Sequence, residues 1–223
     1  MRPFVFINAA MSADGKISTI ARKQVRISGV EDIQRVDVLK ARADAVMVGV
    51  GTVLADDPKL TIKSDALKRE RVDQGRTENP LRIVVDSNAR TPVTAAILGP
   101  SALIAVAQQA PRHRVEELDK KAEILVVGES KVDLAALLAS LKDRGIDSVL
   151  VEGGATLNFA LLSLGLVDEV CTYVGNILIG GSTAPTLVDG DGLISDFINL
   201  KLKEIRQVGE GILIRWAVLG QGP

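Results

Sequence analysis

The chain is short of reactive side chains: 223 residues contain a single cysteine and a single histidine. One cysteine excludes an internal disulfide. The pair together leaves no basis for a zinc cluster, a Cys–His nucleophile or a histidine-based triad. Cys171 lies in the strand-like run Glu169–Val174, where a buried, inert thiol is expected. His113 opens a helix-like segment and reads as a surface residue. No run approaches the roughly 20 apolar residues that cross a bilayer, and the N-terminus lacks the order of a signal peptide. The chain is therefore read as cytoplasmic. Charge of one sign is also missing, with a net charge of −1, so there is no basic patch of the kind that nucleic-acid binding needs. The short clusters Lys68-Arg69 with Arg71, and Arg112 with Arg114, read as solvated faces. If this is an enzyme, a cofactor or carboxylates must carry the reaction. The aspartate pair Asp56-Asp57 is a weak Mg²⁺ candidate, and no metal is assigned.

What is present is hydrophobic residue, 47% of the chain, enough for a full core. Short β-branched runs predict strands at Phe4–Ala10, Ala45–Val50, Arg82–Asp86, Leu103–Ala107, Ile124–Val127, Ser148–Val151 and Val170–Val174. Near-continuous apolar runs of this kind suit a sheet covered on both faces. Helices are expected between them. One follows Ser28-Gly29-Val30-Glu31, which has capping-box form, and carries Ile33, Val36 and Leu39 on one face. Another starts at Asp133, runs through Leu134, Leu137, Leu138 and Leu141, and ends at Gly145. A third covers about Thr156 to Leu164. Lys63–Asn79 is polar and reads as a loop with some helix. Lys201–Val208 and Ile212–Val218 flank Gly209-Glu210-Gly211 and predict an antiparallel hairpin. The expectation is one α/β domain over residues 1–223, with a mixed, mainly parallel sheet, helices on both faces and a C-terminal antiparallel hairpin.

Four strand ends carry polar or glycine-rich turns. Ser148–Val151 leads into Glu152-Gly153-Gly154-Ala155-Thr156 and a helix, a form that suits phosphate. It equally describes a tight turn capped by Thr156. Gly49-Val50-Gly51-Thr52 repeats the pattern without the full dinucleotide fingerprint, and Asp56-Asp57-Pro58 after it suits a helix-ending turn. Asn8–Ile17 contains Asp14-Gly15, ordinary turn chemistry that can also orient a substrate. Arg82–Arg90 ends in polar and cationic residues, fit for a loop or for the ribose and 2′-phosphate of a dinucleotide.

In order, Met11-Ser12-Ala13-Asp14-Gly15-Lys16-Ile17, Val48–Thr61, Arg82-Ile83-Val84-Val85-Asp86-Ser87, Glu152-Gly153-Gly154, Leu166-Val167-Asp168-Glu169 and Gly180-Gly181 resemble the reductase family of riboflavin biosynthesis. The likeness covers nearly the whole chain. It implies a dihydrofolate-reductase-like fold, NADPH as cofactor and a homodimer. Bacterial members commonly carry a zinc deaminase domain, whose His-x-Glu and Pro-Cys-x-x-Cys motifs have no counterpart here. Asn8, where bacterial members tend to have lysine, also fits the stand-alone archaeal or fungal type. That type acts on 2,5-diamino-6-ribosylamino-4(3H)-pyrimidinone 5′-phosphate.

The resemblance further implies roles. Thr52, Asp56, Ile83, Val84, Val85, Asp86, Ser87, Gly128, Gly153, Gly154, Ala155 and Thr156 would bind NADPH. Ser12, Arg26, Leu60, Lys63 and Glu152 would bind substrate, with Lys63 or Arg26 on its phosphate. The family reaction opens the ribosylamino ring to an imine and delivers hydride to C1′, giving the ribitylamino product. Asp14, Asp56 and Glu152 are the candidate catalytic carboxylates. Two other functions fit the same pattern: a dihydrofolate or pteridine reductase, and a non-catalytic nucleotide-binding module. The low aromatic content, 3%, and Lys63 favour a polar, phosphorylated substrate over folate.

Overall fold

The computed structural model describes residues 1–23 and 25–220. They form an α/β fold with nine strands, mainly parallel, and a C-terminal antiparallel hairpin. The chain clusters into two compact units, Met1–Pro3 with Asp37–Leu150, and Phe4–Val36 with Val151–Pro223. Helix α1 (Val30–Arg42) runs from the second into the first.

In the first unit, strands β2 (Ala45–Gly49), β3 (Leu81–Val85), β4 (Ala102–Val106), β5 (Glu123–Val126) and β6 (Ser148–Val151) are ordered β5-β4-β3-β2-β6. Neighbours from β2 to β5 pair in parallel. Ala45 to Val48 and Leu103 to Val106 are completely buried, as the unbroken apolar runs require for strands covered on both faces. Between the strands lie α2 (Val50–Asp56), α3 (Asp65–Asp73), α4 (Arg112–Asp119) and α5 (Leu134–Asp143). On α5, Leu134, Leu137, Leu138 and Leu141 are all buried at helical spacing. Each such side chain contributes roughly 1.5–3 kcal/mol. Asp133 caps the helix by accepting from Ala136 N at 2.9 Å, as expected. Asp44 ties the strand starts together, accepting at Oδ2 from Ser148 N at 2.9 Å and Ser148 Oγ at 2.8 Å.

The second unit orders β1 (Phe4–Met11), β7 (Glu169–Val174), β9 (Gly211–Val218) and β8 (Leu200–Val208) as β1-β7-β9-β8. β1 and β7 are parallel, and β9 is antiparallel to both of its neighbours. Helix α6 (Ala155–Ser163) completes it. The hairpin turn is tighter than the sequence suggests. Gly211 pairs with Val208 inside the ladder, which leaves Gly209-Glu210 as a two-residue turn. Gly211 must be glycine, because a Cβ there would lie 2.4 Å from the Tyr173 ring.

Lys63–Asn79 is a loop with some helix, as expected, and its helix α3 is capped by Ser64, which accepts from Leu67 N. Other expectations change. Ser28 does not complete a capping box with Glu31; its hydroxyl donates to Asp32 Oδ2 at 2.5 Å. The buried residues of α1 are Asp32, Asp37 and Ala41, while Ile33, Val36 and Leu39 of the expected apolar stripe are only partly buried. Arg71 is no solvated residue. It is 3% exposed and donates to Ala41 O, Ala43 O and Thr77 O at 2.7–2.9 Å. Three carbonyls left over from helix and strand ends pay for its burial. His113 is exposed and Cys171 buried, both as expected.

Candidate active site

Parallel pairing sets the carboxyl ends of β2 to β5 side by side. Gly49 stands opposite Val85, Val85 opposite Ala105, and Val106 opposite Val126. The segments that leave this edge carry most of the expected cofactor residues, and open α/β sheets bind ligands at such edges. After β2, the chain turns directly into α2. Its N-cap, Gly49, supplies no side-chain hydrogen bond, and nothing lies within 4 Å of a Cβ built on Gly51. Thr52 is half-buried in the first turn, and Asp56 ends the helix. Desolvation raises the Asp56 carboxyl above the ordinary aspartate value. Asp57 takes the left-handed C-cap at φ 42° and accepts from Ala96 N at 2.7 Å. It is thus a turn residue, as one of its two sequence readings anticipated.

The β3 end divides the expected set. Ile83 and Val84 are buried in mid-strand, paired with β2 on one side and β4 on the other. The side chains of both belong to the core. Asp86 is fully buried and anchors its turn, accepting at Oδ2 from Thr91 N and Thr91 Oγ1, each at 2.7 Å. Its Oδ1 faces the Arg90 guanidinium at 4.0 Å. Oδ2 is thus committed to the turn, while the buried Oδ1 has no hydrogen-bond partner among the described residues. Val85 and Ser87 remain half-buried at the edge, although Ser87 Oγ already accepts from Val132 N at 3.0 Å. Gly128 follows β5 with φ +85°, and a Cβ there would stand 2.1 Å from the Lys131 carbonyl oxygen. The position admits only glycine, so a structural demand explains it whether or not it touches a ligand.

Two expected substrate residues lie on the segment after α2. Leu60 is 4% exposed with φ +54°, so its side chain belongs to the core. Lys63 is exposed, and its ammonium has no ion pair among the described residues. The lysine is held by a residue that sequence reasoning missed. Asp37, buried in α1, accepts from Lys63 N at Oδ1 and Ser64 N at Oδ2, both at 2.8 Å. A carboxylate within an otherwise apolar-period helix face was the available signal.

The second unit holds the rest. At the carboxyl end of β1, Ser12 is completely buried. Its hydroxyl donates to Asp14 Oδ1 at 2.6 Å and accepts from Lys16 N at 2.9 Å. Both hydrogen bonds lie inside the turn. Asp14 also accepts from Ile179 N at 3.0 Å and Gly180 N at 2.7 Å. The Ser12 hydroxyl, with these amides behind it, lowers the Asp14 carboxyl to about 2. Its hydrogen bonds make it an anionic tether between two loops. Glu152 is half-buried just after β6. Gly153 (φ +96°) and Gly154 follow, joined by a cis peptide bond. Gly154, not Thr156, is the N-cap of α6, and it supplies no side-chain cap. The first amides of the helix therefore lack a side-chain partner from the cap, the arrangement that receives a phosphate group. Thr156 is exposed on the first turn. Asn158, also missed, is 1% exposed and fastens α6 to the 186–189 turn by donating to Leu187 O at 2.9 Å. Arg26 is exposed and without an ion pair among the described residues.

Asn8 and Cys171 share a buried network. Arg35 donates to Asn8 Oδ1 at 2.7 Å and to Asp32 Oδ1 at 2.8 Å, and lies 3.5 Å from the thiol. Burial pushes the Cys171 thiol up, against the pull of the Arg35 and Arg215 charges. It is not a nucleophile at neutral pH. Among the described residues no helix is long and apolar enough to cross a membrane.

Known proteins resemble this chain along its length. A protein of Archaeoglobus fulgidus called 2,5-diamino-6-ribosylamino-4(3H)-pyrimidinone 5′-phosphate reductase is 49% identical over 96% of this chain and 97% of its own. A protein of the same name from Methanothermobacter thermautotrophicus is 46% identical over 99% of this chain and 100% of its own. The solved structure of Acinetobacter baumannii RibD matches 98% of this chain with a TM-score of 0.80 at 27% identity; this chain spans 58% of that one. An Enterococcus faecalis dihydrofolate reductase shares the fold, at a TM-score of 0.50 and 13% identity over 96% of each chain. The sequence profile of the RibD C-terminal domain matches residues 3–214. With an unbroken match across both units and near-full-length relatives at almost half identity, the chain belongs to the RibD C-terminal domain family.

Proposed function

We propose that this chain is an NADPH-dependent reductase that converts 2,5-diamino-6-ribosylamino-4(3H)-pyrimidinone 5′-phosphate to its ribitylamino product in riboflavin biosynthesis. It does so in the cytoplasm, as a homodimer whose subunit is one reductase domain. The observation that carries the reading is the full-length likeness to relatives named for this reaction. The chain's own chemistry agrees: it has no conventional nucleophile, so a bound nicotinamide must supply the reducing equivalent.

The residues at hand fit that cofactor. A glycine N-cap without a side-chain bond opens α6, where Gly153, Gly154, Ala155 and Thr156 present amides suited to a diphosphate. Thr52, Val85 and Ser87 line the strand edge of the first unit and remain in the cofactor set, as does Asp56. Lys63 and Arg26 are exposed cations with no ion pair among the described residues, and one or the other is assigned to the substrate phosphate. Glu152 is assigned to substrate hydroxyl or amine donors. Of Asp56 and Asp14, Asp56 is the candidate to hold a proton, since desolvation raises its carboxyl while hydrogen bonds lower that of Asp14. Proton delivery to the nascent amine is assigned to Asp56.

NADPH oxidation tests the proposal. Turnover is expected with the ribosylaminopyrimidine phosphate and none with dihydrofolate. Turnover of dihydrofolate alone would make the chain a folate reductase. NADPH binding without any turnover would make it a nucleotide-binding module.

A further inference from the structure

Helix α6 is loosely specified by its own apolar side chains. Ala155, Leu157, Phe159, Ala160, Leu161 and Leu162 occupy most of its circumference. A helix that is apolar nearly all round buries well at several rotations about its axis. Rotation matters here, because it decides where the amides of the first turn aim. Something besides apolar contact must select one setting.

Asn158 is the one polar side chain among the five buried residues of α6. It is 1% exposed. Its Nδ2 donates to Leu187 O at 2.9 Å and lies 3.8 Å from the place that a Cβ on Gly153 would take. The amide group thus sits beside the glycine turn that opens the helix. Its Oδ1 is buried with no hydrogen-bond partner among the described residues. An orphaned buried acceptor lowers stability, and a leucine of similar size would avoid it. In packed helices, a single buried asparagine fixes the register at some cost in stability.

The carbonyl that Asn158 reaches is itself held in place. Pro185 O accepts from Ile17 N at 2.9 Å and Ala184 O from Lys16 Nζ at 3.2 Å, which ties the 184–189 segment to the turn after β1. Thr186 closes that segment on itself, donating from Oγ1 to Asp189 Oδ1 at 2.6 Å. Asp189 N donates to Ala155 O at 3.3 Å, and a Cβ on Gly190 would run into the Phe159 ring. One segment therefore grips α6 at Ala155, Asn158 and Phe159.

We propose that Asn158 is a positioning residue of the cofactor site, with Thr186 and Asp189 as its support. The bond from Asn158 to Leu187 selects the rotation of α6 at which the first amides of the helix converge on the cofactor diphosphate. The inference rests on the NADPH reading above and names residues that act on the cofactor through the helix.

Fluorescence titration with NADPH and thermal melting of the same preparations test the role. Asn158→Leu removes the bond and the orphaned acceptor together. Its melting temperature should equal or exceed that of the wild type, while NADPH affinity falls about tenfold, the effect of misaiming one or two amide hydrogen bonds. Thr186→Val should also weaken NADPH binding, and Thr186→Ser, which keeps the hydroxyl, should restore it. KM for NADPH should rise with these losses while KM for the pyrimidine phosphate stays at its wild-type value. An Asn158→Leu variant that binds NADPH like the wild type would overturn the role, and an unaffected Thr186→Val would overturn its support. A variant at Asn158 that loses melting temperature and affinity in step would also overturn the role, since a merely structural residue behaves that way. These results leave the NADPH reading standing, because the wild type binds. A wild type that fails to bind NADPH would overturn that reading and this role with it.

Discussion

Removing the Asp37 carboxylate should loosen the segment that carries Lys63 and so expose the division of labour in the first unit. Asp37 is 8% exposed and accepts two backbone amides at 2.8 Å each. Hydrogen bonds to a charged acceptor are worth about 1.5–3 kcal/mol each. Alanine also relieves the desolvation of the carboxylate, so a net loss of about 3 kcal/mol is expected for Asp37→Ala. For a chain of this size that lowers the melting temperature by about 6–12 °C. The functional consequence is separate. Lys63 N would lose its anchor, and an ammonium that must be ordered before it pairs a phosphate binds more weakly. KM for the phosphorylated substrate should rise about tenfold, equivalent to 1.4 kcal/mol, with kcat changed much less. Asp37→Asn retains one acceptor and should fall between the two. Thermal melting and steady-state NADPH oxidation on the same preparations measure both effects. An alanine variant that melts with the wild type and keeps its KM would show that neither the anchor nor Lys63 has the role assigned here.

Other outcomes follow from individual contacts. Gly128→Ala should cost about 3 kcal/mol or more, because it combines a positive φ with a Cβ 2.1 Å from a carbonyl oxygen; a denaturant titration measures it, and a stable variant would contradict the close approach. Asp14 has a folded pKa of about 2, below its ordinary 3.8, so its contribution to stability is complete above pH 3.8 and is lost as pH falls through 2. Asp14→Asn should therefore flatten the acid limb of the stability curve in that window, and an unchanged slope would remove the tether. Gly154→Val should weaken NADPH binding about tenfold by displacing a phosphate from one or two amides; unchanged affinity in a folded variant would take the α6 turn out of the cofactor site. Activity should survive EDTA, since no group of metal-ligating side chains exists among the described residues; loss that Mg²⁺ restores would make Asp56-Asp57 a metal site.

The fold was legible because its strands obey a simple rule. β2, β3, β4 and β6 are buried on both faces, and each shows in the sequence as an apolar run that ends within a residue or two of the observed strand. The α5 leucines announce their helix by spacing alone. Exceptions arise where a side chain answers to a distant partner. Arg71 looks like part of a surface cluster until the carbonyls of Ala41 and Ala43 enclose it. Asp37 holds amides 26 and 27 residues away. The same limit applies to the site. Motif likeness points to turns, but only geometry separates side chains that face outward from those directed inward. Ser12 and Asp14 direct their hydrogen bonds into their own turn or to a neighbouring loop, and Asp86 does so through Oδ2 alone. Glycines have the same ambiguity. Gly128 is demanded by sterics and Gly51 is not, a difference that sequence position does not reveal.

The central claim is that reducing equivalents pass from NADPH to the sugar carbon of a phosphorylated ribosylaminopyrimidine. NADPH carrying deuterium at C4 of the nicotinamide on the transferred face tests it most directly. With 2,5-diamino-6-ribosylamino-4(3H)-pyrimidinone 5′-phosphate, the ribitylamino product should gain one deuterium, located at C1′ by mass spectrometry and NMR. Oxidised cofactor with an unlabelled product, or with deuterium on the pyrimidine ring, would contradict the account.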